Sequence, residues 1–345
     1  MCDEVYMKGT KEQVLEYLEK NKGRFSSGEQ IAKELNLSRN SVWKAIESLR
    51  RSGYQIEAAS RKGYLLSKDD DFLNIAAITR HLSKNINPDL IHIYNSIEST
   101  NKTAKGAAAF DAPFGTTIIS ASQTAGSGRK KRSFYSPTGG IYMSMVLSPD
   151  KIPFKNHALI TAYAAISVCA AIKKFSGREP YIKWMNDIYM DGKKVCGILT
   201  ESTADMDTGE LSWVVVGIGI NFCVNTKSFP EGTKEIAGSI FAPGKAPISK
   251  NEMIAEIINN ILSGSVIGAS FDDPGNADNN FDHSEEILKK YRAHLNMLGT
   301  EITILSPEGE YKATALDIDD NAKLIVELPS GHKKTLKSEE ISIRL

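Results

Sequence analysis

The sequence predicts an α+β chain of three segments, and three observations carry that expectation. Residues 1–68 hold three short apolar-periodic helices followed by a hairpin. Residues 69–298 alternate strands and helices around glycine-rich turns, and residues 299–345 hold only short strands separated by turns. A chain of 345 residues can bury two or three cores. Its 41% apolar and 24% charged content is ordinary for a globular protein. Lys and Arg number 42, as do Asp and Glu, so any attraction to nucleic acid must be local. No apolar run reads as a membrane span, and the start Met1-Cys2-Asp3-Glu4 lacks the apolar core of an export signal. The expectation is a cytoplasmic protein without membrane association. Cys2, Cys169, Cys196 and Cys223 have neither disulfide-framework nor zinc spacing, so reduced thiols and no metal site are expected.

The first segment carries 13 Lys and Arg against 9 Asp and Glu, a local excess of +4. Val14, Leu15 and Leu18 share one face of a helix over 11–19. Ser27-Gly28 opens a second helix with Ile31, Ala32 and Leu35 inward. After the turn Asn36-Leu37-Ser38, Ser38 is placed to cap a third, with Val42, Ile46 and Leu49 at helical spacing. Its outer face offers Arg39, Asn40, Ser41, Lys44 and Arg51, short polar and forked basic side chains suited to reading a major groove. Strands starting at Tyr54 and Gly63 flank Ser60-Arg61-Lys62, a wing with a basic tip. Turn, basic face and basic wing together predict a winged helix-turn-helix that binds DNA through Ser38, Arg39, Asn40, Ser41, Lys44, Arg51, Arg61 and Lys62.

Residues 68–71 are expected as a charged linker and 75–82 as a short helix. A strand over 91–94 runs into Ser99-Thr100-Asn101, hydroxyls that can cap a following helix and can also bind a small polar ligand. The strand over 116–121 leads into a loop dense in glycine and cations, Gln123 to Pro137, and a second strand follows at 141–147. Gly126 and Gly128 let backbone approach a ligand, and Arg129, Lys130, Lys131 and Arg132 repel one another unless an anion sits among them. The loop is no Walker motif, because no Gly-Lys-Ser/Thr closes it. Lys131 is expected in right-handed or extended angles, since a left-handed lysine costs about 1 kcal/mol. A buried helix over 156–174 precedes a strand over 181–184. Asp191-Gly192 signals a type I′ hairpin. Period-two alternation sets Lys194 with Cys196 and Lys193 with Val195, and does not itself choose which lysine faces a pocket. A buried strand over 212–219 follows; its glycines are no dinucleotide fingerprint. An amphipathic helix over 251–262, an expected mobile insertion over 264–283, a helix capped by Ser284 and ending at Gly299, and a small antiparallel barrel with strands near 302–304, 311–316, 324–328 and 341–343 complete the chain.

Glu98-Ser99-Thr100-Asn101, the Gln123–Pro137 loop, Lys183-Trp184-Met185-Asn186-Asp187 with Lys194-Val195-Cys196-Gly197, and Gly217-Ile218-Gly219-Ile220-Asn221 together resemble the biotin–protein ligases. With the N-terminal segment, the resemblance is to ligases that double as biotin-operon repressors, and it covers nearly the whole chain. It implies a winged helix-turn-helix over 1–68, a class II synthetase-like catalytic domain of the biotin/lipoate ligase fold over 69–298, and an SH3-like domain over 299–345. It implies ATP with Mg2+ as co-substrate, biotin as substrate and no tightly bound prosthetic group. Biotinyl-5′-AMP would form and pass its biotin to a lysine of a biotin carboxyl carrier protein. Operator DNA and a ligand-promoted homodimer are the other implied partners, with loops 126–132 and 151–157 as dimer candidates. The Lys-x-x-Gly pattern of these ligases falls on Lys194 and Gly197, so Lys194 and Arg129 are the implied catalytic residues. Ser99, Thr100, Asn101, Gln123, Ser127, Gly128, Arg129, Lys194 and Gly197 would bind biotin. Arg132, Phe134, Lys183, Asn186 and Asn221 would bind ATP. Ser127 stands where these ligases usually have arginine, Lys131 where they have glycine, Phe134 where tryptophan is common and Met185 where proline is common. The alternatives are a ligase whose N-terminal domain does not repress, a biotin sensor without catalysis, and a lipoate ligase.

Overall fold

The computed structural model describes residues 9–68, 70–204, 211–268, 282–306, 309–336 and 342–344. Two compact units emerge: Met1–Leu82 with Ile248–Ala255, and Ser83–Pro247 with Glu256–Leu345.

In the first unit, α1 (Thr10–Lys20), α2 (Gly28–Leu35) and α3 (Arg39–Arg51) close on Val14, Leu18, Ile31, Val42, Ile46 and Leu49, all at most 1% exposed. The caps fall where the sequence places them. Ser27 Oγ accepts from the Gln30 amide and Ser38 Oγ from the Ser41 amide, each at 3.0 Å. Asn36 ends α2 at φ 53°. β1 (Ile56–Ala59) and β2 (Gly63–Leu66) form the hairpin, pairing Ile56 with Leu66 through Ala59 with Gly63. Gly63 has φ +96°, and a Cβ there would lie 2.2 Å from the Ser26 carbonyl oxygen, so only glycine fits. The expected open linker is instead packed. Asp70 is 2% exposed and accepts from the Gln55 amide at 2.8 Å; Asp71 accepts from the Lys250 amide at 2.5 Å. These acids supply hydrogen-bond acceptors to backbone, which composition alone cannot reveal. The short helix, α4 (Ile75–Thr79), stops before residue 82, and Asn74 caps it while donating to Glu19 at 2.9 Å.

The second unit is built on a seven-stranded mixed sheet in the order β3 (Ile91–Tyr94), β4 (Thr117–Ser120), β5 (Ile141–Leu147), β9 (Leu211–Ile220), β8 (Lys193–Ala204), β7 (Asp187–Met190), β6 (Tyr181–Lys183). Only β3 and β4 run parallel, as the intervening α5 (Thr100–Ala108) requires. Neighbours Thr200 and Glu201 point to opposite faces of β8. Lys105 of α5 meets Glu201, while Thr161 of α6 (Ile160–Ser176) meets Thr200. Helices therefore cover both faces, which is why every residue of β5 is buried. Contrary to the sequence expectation, the stretch His157–Ser176 is long and apolar enough to cross a membrane; 72% of that window is buried in the fold, as befits a core helix.

α7 (Lys250–Ser263) buries Ile254, Ile257, Ile258 and Ile261. Of the expected insertion, 269–281 lie outside the described residues; Ser265–Ile267 form a short 3₁₀ turn between glycines at positive φ. α8 (Ser284–His294) begins with Ser284 inside the helix. His283 is the N-cap and makes no side-chain cap bond; Asp282, one residue earlier, accepts from the Ser284 amide and hydroxyl at 3.1 and 2.6 Å. The helix also ends five residues before Gly299. The C-terminal sheet has the antiparallel order β13 (Lys333–Thr335), β12 (Leu324–Glu327), β11 (Gly309–Ile318), β10 (Glu301–Ser306), β14 (Ser342–Arg344). β13 is an added strand, polar and exposed and therefore without an apolar signal. The expected turn residues Pro307 and Glu308, and Ile341, lie outside the described residues. This sheet is tied to the larger one: Arg292 Nε donates to Asp317 at 2.5 Å, and the Trp184 indole N–H donates to the Ala322 carbonyl at 2.8 Å.

Candidate functional site

A cleft of about 230 Å³ opens on the larger sheet, floored by β8 and β9 and roofed by the Ser127–Phe134 loop. Its lining includes Ser99, Thr100, Asn101, Gln123, Ser127, Gly128, Arg129, Arg132, Phe134, Lys183, Asn186, Lys194 and Gly197. Among the residues expected to meet biotin or ATP, Asn221 alone is not in that lining. It is 4% exposed, with its amide N–H bonded to the Val195 carbonyl at 2.8 Å and its side-chain Oδ1 unpartnered.

The choice between the adjacent lysines is made by a β-bulge. β7 pairs with β8 as Asp187 with Gly197, Ile188 with Cys196 and Tyr189 with Lys194, which leaves Val195 extra. Strict alternation is broken, and Lys194 shares a face with Gly197 rather than with Cys196, a correction to the sequence reading. The three-residue spacing from lysine to glycine is thus the imprint of the bulge. Lys194 Nζ sits 2.7 Å from Asp187 Oδ1, both side chains about a quarter exposed. Lys193 is exposed and its ammonium donates to the Glu235 carbonyl. Burial pushes the Cys196 thiol well above its ordinary value despite the nearby Lys194 charge, so it is no thiolate.

The glycines of 217–219 also find a reason. Gly219 pairs with Gly197 across β9 and β8, and the Phe134 ring lies on that bare patch. A Cβ at Gly219 would come within 2.6 Å of the ring, and one at Gly197 within 3.3 Å. Lys194 Nζ lies 6.0 Å from the ring centroid. A Cβ at Gly217 would fall 1.8 Å from Asn101 Oδ1. Spacing alone gave no hint that these glycines seat side chains.

The roof is a tight hairpin. Ser127 pairs with Ser133, Gly128 N–H donates to the Arg132 carbonyl at 2.7 Å, and Phe134 N–H to the Gly126 carbonyl at 2.8 Å. Lys131 has φ +57° and Lys130 φ +56°, so the expectation of right-handed or extended angles for Lys131 is wrong. Reversing the chain within so few residues demands the left-handed region, and the loop accepts the strain. Arg129 Nη1 donates to Asn186 Oδ1 at 3.2 Å, and Asn186 Nδ2 to the Ile198 carbonyl at 2.6 Å. Lys130, not foreseen, also lines the cleft; desolvation, then the Arg129 and Arg132 charges, hold its ammonium below the usual lysine range. Trp184, Asp187, Ser133, Ile198, Leu199, Gly217, Ile218 and Gly219 complete the lining, and the Trp184–Met185 peptide is cis. Among the described residues no group of three or more His, Cys, Asp or Glu is arranged to hold a metal.

On the helix-turn-helix, Arg39, Asn40, Lys44, Arg51, Arg61 and Lys62 are exposed. The Ser38 and Ser41 hydroxyls are partly engaged with each other at 2.8 Å. Lys62 Nζ rests 5.7 Å from the Phe25 ring. Trp43, missed in the sequence reading, is 51% exposed on the same helix; its offset from the apolar spacing was the available signal.

A helix-turn-helix domain, an α/β sheet with helices on both faces and a cationic loop over its cleft, and a small C-terminal sheet follow one another along the chain. Profiles match in the same order: HTH domain over 10–65, biotin/lipoate A/B protein ligase family over 93–221, and biotin protein ligase C terminal domain over 297–344. The chain is 35% identical over 317 residues to the bifunctional ligase/repressor BirA of Bacillus spizizenii, covering 91% of this chain and 93% of that one. It is 30% identical over 203 residues to the bifunctional ligase/repressor BirA of Escherichia coli, covering 59% and 61%. The solved biotin protein ligase from Aquifex aeolicus in complex with biotin and ATP superposes with a TM-score of 0.58 at 25% identity, covering 74% of this chain and 98% of that one. The protein belongs to the biotin/lipoate A/B protein ligase family.

Proposed function

We propose that the protein is a biotin–protein ligase that also represses biotin genes. A carboxylate is a poor acyl donor, so ATP first converts it to a mixed anhydride. The carboxylate oxygen bonds to the α-phosphorus as the α–β phosphoanhydride bond breaks and pyrophosphate leaves; both reacting partners are anionic, and a fixed cation between them lowers the barrier. Lys194, held by Asp187 2.7 Å away beside the Phe134 ring, takes that role; this is the observation that carries the reading. Arg129 and Arg132 hold phosphate oxygens. Thr100 and Gln123 receive the biotin head, with Ser99, Asn101, Ser127, Gly128 and Gly197 shaping its pocket. Phe134, Lys183 and Asn186 take the nucleotide, and Mg2+ arrives with ATP. Asn221 supports the nucleotide side from behind, through the backbone of β8. The neutral amine of an acceptor lysine on a biotin carboxyl carrier protein then attacks the anhydride carbonyl, the acyl–phosphate bond breaks, AMP and a proton leave, and no nucleophile from this chain is required.

Residues 1–68 read operator DNA, their exposed cations neutralising phosphates, so binding falls steeply with salt. One such domain covers a single half-site, so tight binding needs two protomers, paired when biotinyl-AMP orders 126–132 and 151–157. This reading has the protein work in the cytoplasm, where a carrier protein and operator DNA are both within reach. The working division is 1–68, 69–298 and 299–345. The enzymatic test is ATP–pyrophosphate exchange driven by biotin against lipoate: exchange with biotin alone is expected, and exchange with lipoate alone contradicts the reading. The regulatory test is a gel shift on DNA upstream of biotin-synthesis genes. Identical weak binding with and without biotin plus ATP, and no dimer in sedimentation, leaves only the ligase.

A further inference from the structure

A chain of hydrogen bonds runs beneath the cleft, between α5 and the sheet, from Lys105 to Thr100 and Gln123. Lys105 Nζ donates to Glu201 Oε1 at 2.6 Å, and Asn101 Nδ2 donates to Glu201 Oε2 at 2.8 Å and to the Leu199 carbonyl at 3.3 Å. A backbone carbonyl and a carboxylate can only accept, so the Asn101 amide nitrogen must face them. Its Oδ1 therefore faces Ser144, a fully buried residue of β5, and takes the single Ser144 hydroxyl proton at 2.6 Å. Ser144 Oγ lies 2.8 Å from Thr100 Oγ1 and, its proton committed, can only accept there. Gln123 is fixed from the other side. Thr100 N–H donates to Gln123 Oε1 at 2.8 Å, so that oxygen too is an acceptor, 3.2 Å from the Thr100 hydroxyl. Gln123 Nε2 points to Ser136 Oγ at 2.9 Å. The Thr100 proton must go to Ser144 or Gln123, and the Thr100 lone pairs remain for the cleft.

We propose that Glu201 is a positioning residue that sets the hydrogen-bond polarity of the cleft floor: through Asn101 and Ser144 it makes Thr100 an acceptor for ligand N–H groups, such as those of a cyclic urea, and against an acid that has none. This rests on the assignment of the cleft to biotin. Burial works against the Glu201 charge, but hydrogen bonds from Lys105 and Asn101 and the Lys105 charge hold its carboxyl below the usual range. It therefore stays a pure acceptor at neutral pH. Without it only the longer 3.3 Å bond to the Leu199 carbonyl opposes turning the amide over; once turned, Nδ2 donates to Ser144, Ser144 donates to Thr100, and one of the two Thr100 lone pairs is taken from the ligand. Gly217 is part of the arrangement, because any side chain there would overlap Asn101.

The experiment is biotin-dependent ATP–pyrophosphate exchange on the full chain with Glu201→Ala, Glu201→Gln and Gln123→Ala. Glu201→Ala is expected to raise the biotin KM about tenfold, the size of a mispaired buried hydrogen bond, with the ATP KM and the rate at saturating biotin nearly unchanged. Glu201→Gln should restore the biotin KM to within about twofold, because its amide oxygen accepts the same Asn101 proton. A merely structural role would shift the ATP KM as well and would not be rescued. An unchanged biotin KM in Glu201→Ala, or equal damage in Glu201→Gln, overturns the proposal while Gln123→Ala still raises the biotin KM. If Gln123→Ala has no effect either, the biotin assignment of the cleft falls, and the proposal with it.

Discussion

The floor and the roof of the cleft are built on opposite physical terms. The floor is buried and internally bonded: Ser144 is fully enclosed, Thr100 and Asn101 at the start of α5 nearly so, the Ser144 hydroxyl and the Asn101 amide are engaged, and glycines of β8 and β9 are placed so that side chains can lie flat. The roof is an exposed hairpin carrying four consecutive cations, two of them at positive φ. A saturated, rigid surface discriminates between ligands, because a misfit leaves a buried group unpaired. A strained, self-repelling loop cannot be rigid without an anion, so it serves closure and retention. Substitutions in the two regions should therefore fail in different ways.

The largest effect is expected at the boundary between them. Lys194→Ala should cost adenylation a factor of about a hundred or more in single-turnover assays, since it removes a charged contact to the transition state. Lys193→Ala, whose ammonium faces the Glu235 carbonyl outside the cleft, should be mild. Equal losses in the two folded variants would mean that the bulge does not select the catalytic lysine. Next comes Gly219→Ala. Its Cβ would sit 2.6 Å from the Phe134 ring and must push that ring off the floor, at roughly 1–3 kcal/mol. Nucleotide affinity measured by calorimetry should fall by about tenfold. An unaltered affinity would show that the ring is not held by the glycine pair. Asp187→Ala should reduce adenylation severalfold, less than Lys194→Ala, because it frees the ammonium without deleting it; a loss as large as that of Lys194→Ala would give Asp187 a direct part in the chemistry. The smallest effect is expected from Lys131→Gly, which relieves about 1 kcal/mol of left-handed strain. Thermal melting with bound adenylate should show a slight gain, and a clear loss would mean the lysine contributes contacts that outweigh its strain.

The same contrast explains what the sequence could and could not tell. Caps at Ser27 and Ser38, the apolar spacing of α1 to α3, the Asp191-Gly192 turn and the run of β5 are local signals, and each element formed where they point. The cleft residues were legible as a set because the loop, the Lys194–Gly197 pattern and the Ser-Thr-Asn junction together resemble the biotin–protein ligases, although each signal alone is weak. What escaped depends on partners distant in sequence. The bulge at Val195 exists only in the pairing of β7 with β8. Ser144 matters only because Asn101 lies across it, and Gly217 and Gly219 only because Asn101 and Phe134 settle on them. Asp70 and Asp71 read as linker because their backbone donors, Gln55 and Lys250, come from elsewhere in the fold. The left-handed Lys131 went against its own conformational preference because closing the loop outweighs about 1 kcal/mol.

The division between floor and roof is tested most directly by measuring two constants on two variants: the biotin dissociation constant and the rate at which biotinyl-AMP escapes, in Gln123→Ala and Arg129→Gly. Gln123 belongs to the floor, bonded to the Thr100 amide, and Arg129 to the roof, bonded to Asn186. The account predicts that Gln123→Ala weakens biotin by about tenfold with a proportionate change in escape, one lost hydrogen bond acting on both. Arg129→Gly should release the adenylate far faster while biotin affinity stays close to wild type, and bystander proteins in the same tube should become labelled. If Arg129→Gly weakens biotin as much as it speeds escape, or labels bystanders no more than wild type, roof and floor are one surface and the division fails.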